Sequence, residues 1–77
     1  MEKGWAQLGR AIRARRRAAG LSQEELAERS GTHWTYISEI ENNRQNPSIN
    51  LVRRIASGLG IRLSELVTDA EEVDDRS

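Results

Sequence analysis

Residues 20–41 read GLSQEELAERSGTHWTYISEIE, and this stretch decides the fold. It opens with Ser22 and carries Glu25 three residues later. That is capping-box spacing: the Ser22 hydroxyl accepts from the Glu25 backbone, and the Glu25 carboxylate reaches back. Leu26 and Ala27 supply the apolar side of the short helix so begun. Ser30-Gly31-Thr32 has the composition of a tight turn, with Thr32 as N-cap of a helix from His33 to Glu41. Two short helices joined by a three-residue turn containing Gly fit an αα-corner or a DNA-reading helix-turn-helix. Residue identities favour the second. Ala27 is small where the next helix must cross closely, Gly31 sits in the turn, and Ile37 and Ile40 make an inward face.

Placing Ile37 and Ile40 inward puts Trp34, Thr35, Ser38 and Glu39 together on the opposite side, at about 100° per residue. A glutamate can accept from the cytosine amino group, and a threonine methyl can meet a thymine methyl. Those four residues form a candidate base-reading set. A second reading folds Trp34 back over Tyr36 or the fourth helix as peripheral core. Asn42, Asn43 and Arg44 follow as donors suited to phosphate, or as an ordinary polar loop. His33 is read as a helix-start residue touching backbone or phosphate.

Outward from this unit the chain divides into further helices. The first runs from about Gly4 to Ala19 with Leu8, Ile12 and Ala19 on one side, and Gly20-Leu21 has the form of a left-handed C-cap with its apolar contact. Arg16 lies one turn beyond Ile12 on the core side, where an arginine needs a buried acceptor. Arg10, Arg13 and Arg17 point away from it. A fourth helix starts at Pro47-Ser48 and carries Ile49, Val52, Ile55, Ala56 and Leu59; a fifth, from about Leu63, carries Leu66 and Val67. No segment alternates with the period of a strand. The fold class is all-α, with one domain over 1–68 and an acidic, flexible tail over 69–77.

Composition sets the bounds. The 77 residues are 36% hydrophobic and 4% aromatic, so the core is small and a partner subunit is the expected support. Without cysteine there are no disulfides, thiolate zinc sites or cysteine nucleophiles, and the single His33 cannot build a histidine metal site. Adjacent carboxylates such as Glu24-Glu25 and Asp74-Asp75 have no nucleophile or metal ligand beside them, so no enzyme activity, metal or cofactor is expected. No segment has a signal peptide's apolar stretch or a membrane span's length, which fits a cytoplasmic protein. The net charge is zero, yet residues 1–20 hold six basic side chains against one acidic, and residues 69–77 hold five acidic against one basic. The resulting charge dipole, rather than the total, steers partners.

From Leu8 to Val67 the chain resembles the phage Cro/repressor-type helix-turn-helix family. The matching segments are LGRAIRARR (8–16), GLSQEELA (20–27), YISEIE (36–41), NPS (46–48) and IASGLGI (55–61). The resemblance implies a five-helix Cro/repressor-like domain with the helix-turn-helix at helices 2 and 3. It implies that Arg16 pairs with Glu41, that Gln23 touches phosphate, and that Trp34, Thr35 and Glu39 hold base-reading positions. The full phosphate-facing set is then Ser22, Gln23, His33, Tyr36, Asn42, Asn43 and Arg44. Within the family, TYIS (35–38) and the Asn-rich loop look most like controller proteins of restriction–modification systems, homodimers on a pseudo-palindromic operator with helix 5 at the dimer contact. Ile61, Leu63, Leu66 and Val67 are the apolar residues available for it. Expected partners are double-stranded DNA and a second copy, with RNA polymerase as a further candidate. Rival readings are an antitoxin or phage-type repressor of the same fold, or a protein-interaction module without DNA binding. Two positions depart from the family pattern. Arg62 stands where a Ser or Thr cap is usual, and Trp34 is an unusual base reader.

Overall fold

The computed structural model describes the backbone of residues 3–76 and the side chains of residues 7–72. These form five helices and no strand: α1 (Lys3–Ala18), α2 (Gln23–Ser30), α3 (Trp34–Glu41), α4 (Ile49–Leu59) and α5 (Leu63–Arg76). The core draws on every one of them. Leu8, Ala11 and Ile12 of α1 share a face by their i, i+3, i+4 spacing. They join Leu26, Ala27, Ile37, Ile40, Val52, Ile55, Leu66 and Ala70, all buried.

Helix boundaries follow local chemistry. At α2 the capping box is complete: Glu25 N–H donates to Ser22 Oγ at 3.0 Å and Ser22 N–H donates to Glu25 Oε1 at 2.8 Å. Four helices end in paired reverse bonds of Schellman type, and the α2 end shows why the turn is so short. Gly31 takes φ 69°, a left-handed conformation nearly free of cost only for glycine, and Thr32 N–H reaches back to Ala27 O at 3.0 Å. At α3 the left-handed residue is Asn43, with φ 62°.

Three expectations are corrected. The N-cap of α3 is His33 rather than Thr32: Thr35 N–H donates to His33 Nδ1 at 3.3 Å. The acidic segment 69–76 continues α5 instead of fraying. Ala70 is buried, and Asp69 forms an ion pair with Arg15 of α1, so the boundary at residue 68 falls inside a helix anchored by packing. Leu66 has no exposed surface in the single chain and belongs to its core, which removes it from the residues free for a dimer face. Arg62 offers no side-chain cap to α5, but Arg62 N–H donates to Glu65 Oε1 at 2.8 Å, half of a capping box.

One close approach was invisible in the sequence. A Cβ built on Gly9 of α1 would lie 2.3 Å from the Ile40 carbonyl oxygen, so α1 crosses the end of α3 backbone to backbone.

Candidate nucleic-acid interface

Helix α3 presents two faces. Ile37, Ile40 and Glu41 are buried; Trp34 and Thr35 are exposed, and Ser38 and Glu39 are half-buried beside them. All four residues of the expected base-reading set therefore lie at least partly open to solvent on one helix. Trp34 is 44% exposed and is absent from the side chains packed on the core, unlike Tyr36, which is half-buried against it. The indole instead stacks on the His33 ring, with centroids 6.2 Å apart and planes inclined by 29°.

The Glu41 carboxylate locks the helix-turn-helix from behind. Arg16 Nε donates to its Oε2 at 2.7 Å and Arg16 Nη2 to its Oε1 at 3.1 Å, while Gln23 Nε2 donates to the same Oε1 at 3.1 Å. Arg16 Nη1 also donates to Leu21 O at 2.8 Å. One buried carboxylate thus ties the end of α3 to α1 and to the start of α2. Its hydrogen bond raises the Arg16 pKa above the ordinary arginine value, against the opposing effect of burial, so the guanidinium stays charged.

The residues expected to meet phosphate divide by how far they are already engaged. Asn43 and Arg44 are exposed just past α3, where Arg44 N–H closes the helix end on Glu39 O at 2.7 Å. Asn42 turns back, donating from Nδ2 to Ser38 O at 2.8 Å. The Ser22 hydroxyl caps α2, His33 Nδ1 caps α3, and Gln23 is oriented by Glu41. These last three fix the starts of α2 and α3 whatever else they touch. Among the apolar residues expected at a dimer face, Val67 is 38% exposed, while Ile61 and Leu63 are half-buried against the core.

Sequence reasoning missed the Arg15–Asp69 pair, in which Arg15 Nη2 also donates to Asp69 Oδ1 at 3.2 Å. The two residues lie 54 positions apart. With the tail taken as frayed, nothing placed Asp69 on a helix facing α1.

Two short helices joined by a tight glycine turn, the second with one face in the core and the other open, have the arrangement of the helix-turn-helix class of DNA-binding fold. The chain belongs to that family, whose helix-turn-helix model matches residues 12–66, and its members are transcriptional regulators. It is similar to the control protein C.MunI from a Mycoplasma species, 43% identical over 58 residues that cover 75% of this chain and 78% of that one. Among solved structures it resembles the clp gene regulator ClgR of Corynebacterium glutamicum, with a TM-score of 0.90 and 29% identity over 94% of this chain and 77% of that one. It also resembles the restriction–modification controller protein C.AhdI of Aeromonas hydrophila, with a TM-score of 0.78 and 35% identity over 80% of this chain and 94% of that one.

Proposed function

We propose that this chain is a sequence-specific, double-stranded DNA-binding regulator of the restriction–modification controller type, acting in the cytoplasm as a homodimer on a pseudo-palindromic operator. The observation that carries the reading is the outer face of α3, where Trp34 and Thr35 are exposed and Ser38 and Glu39 half-buried on a helix whose other face is core. An α-helix fits the major groove, and base edges there present the donors, acceptors and methyl groups such a set can distinguish. Asn43 and Arg44 are the outer contacts with phosphate; they set register without reading sequence. The likeness to C.MunI and C.AhdI supports the controller subtype.

One reading helix covers too few base pairs for selective regulation. Two copies about a two-fold axis would read half-sites one helical turn apart, roughly 34–36 Å. The test is selection of duplexes from a random pool, followed by titration of the best duplex at several salt concentrations. If the dimer neutralises about 6–8 phosphates, log affinity falls against log salt with a slope of about −5 to −7. Absence of a preferred duplex, or of duplex binding at low salt, would sink the reading.

A further inference from the structure

The leading edge of α3 has an unusual chemistry for a reading helix. Trp34 opens the helix and is 44% exposed, with the indole Nε1–H as its one polar group. Its ring stacks on that of His33, and His33 is in turn held through Nδ1 by Thr35. Thr35 N–H donates to His33 Nδ1 at 3.3 Å, and the Thr35 hydroxyl lies 2.8 Å from the same atom. With its hydroxyl against His33, Thr35 has a methyl as its one apolar group. The first turn of the helix therefore offers a stacked indole beside a methyl. Hydrogen-bonding side chains, Ser38 and Glu39, come one turn later.

In the major groove the feature an apolar surface can recognise is the C5-methyl of thymine. The same methyl occurs on 5-methylcytosine. We propose that Trp34 is a reader of pyrimidine C5-methyl groups, so that affinity depends on the methyl itself, separately from the donor and acceptor pattern of the base pair. This inference rests on the major-groove reading above and gives it a chemical specificity.

Covering one methyl-sized carbon with apolar surface changes an equilibrium constant by about fourfold, hence by about fifteenfold when both half-sites change together. The probe is the preferred duplex from the random-pool selection, with the full chain as the protein. Replacing thymine by deoxyuridine removes the methyl and nothing else. At one or two positions per half-site, substitution in both half-sites should weaken binding by about fifteenfold. At the same positions, a cytosine·guanine pair and its 5-methylcytosine counterpart should differ by the same factor. The deoxyuridine arm reports on thymine and the second arm on methylated cytosine.

Trp34→Gln should bind more weakly overall and show neither methyl increment. Trp34→Leu, apolar but smaller, should keep part of both. Trp34 lies outside the buried core, so a melting curve is expected to show both variants folded. Three results would overturn the inference: wild-type binding indifferent to deoxyuridine at every thymine, equal affinity for the two cytosine duplexes, or an unchanged methyl increment in Trp34→Gln. If the pool yields no preferred duplex, the broader DNA-reading proposal fails and this one with it. A preferred duplex without methyl dependence removes the Trp34 inference alone.

Discussion

At the residue scale, Glu41 is the side chain on which the arrangement turns. Its side chain is only 2% exposed and that of its partner Arg16 only 11%, so the pair is shielded from water on both sides. Removing one member strands the other charge, at a cost of about 3–5 kcal/mol. That is comparable to the roughly 3–5 kcal/mol a core of this size supplies. Arg16→Ala should therefore be largely unfolded at a temperature where the parent chain is intact. The pairing itself is checked by coupling: Arg16→Met combined with Glu41→Leu should cost clearly less than the two single changes added together. Additive losses in thermal melts would show that the two side chains act independently. The pair was legible from sequence in halves. Spacing put Arg16 on the core side of α1 and demanded an acceptor, whereas only the family resemblance identified Glu41. Gln23 as a third member was not legible, because its amide suits phosphate equally well until the distance to Glu41 is known.

At the element scale, the helices were readable wherever local chemistry acts alone, and less so where distant parts meet. The capping box of α2 and the left-handed glycine after α1 depend on residues within a few positions of one another, and the structure has them; the start read at Pro47-Ser48 falls on the Ser48 cap of α4. The end of α5 depends on Ala70 burying against the core and Asp69 meeting Arg15, so composition alone made it look like a solvated tail. The Gly9 crossing has the same origin. Alanine in place of a mid-helix glycine ordinarily stabilises by about 0.5–1 kcal/mol, but here its Cβ would press on backbone at Ile40 and Glu41, which cannot rotate away. Gly9→Ala should instead destabilise, by about 1–3 kcal/mol or more as an overpacked contact. A raised melting temperature would show that α1 and α3 can separate freely. The α2 cap makes a second prediction, on pH. Accepting the Ser22 backbone N–H holds the Glu25 carboxyl below its ordinary pKa. A depressed carboxylate contributes stability above its unfolded value, about 4.3, and loses it as pH falls through the lower folded value. Glu25→Gln keeps a pH-independent acceptor, so wild type should lose melting temperature relative to that variant between about pH 5 and pH 3. Parallel melting curves over that range would dismiss the linkage.

At the scale of the whole molecule, charge and apolar surface point the proposed assembly in different directions. Arg10, Arg13 and Arg17 lie exposed on α1, while α5 carries exposed Glu65, Glu71 and Glu72, and Arg15–Asp69 joins the two helices. A net charge of zero is thus compatible with a locally basic surface, and the field near each face matters more than the sum. Dimer formation must draw on what the core leaves over. Leu66 is excluded, since a charge there would enter the core and unfold the single chain. Val67 is one residue further on, 38% exposed, and the most accessible of the apolar residues expected at a helix-5 contact. A two-fold axis through this face would set the two copies of Val67 near one another, each isologous contact counting twice. Val67→Glu should therefore leave the monomer folded and oppose its partner by like charge, without disturbing α3. Operator affinity should fall by about a hundredfold or more, because the second half-site is no longer bound intramolecularly once the first is engaged. Sedimentation equilibrium run beside the duplex titration separates the alternatives. A variant that stays dimeric places the interface elsewhere, and a monomer that binds as tightly as wild type refutes the two-half-site mechanism.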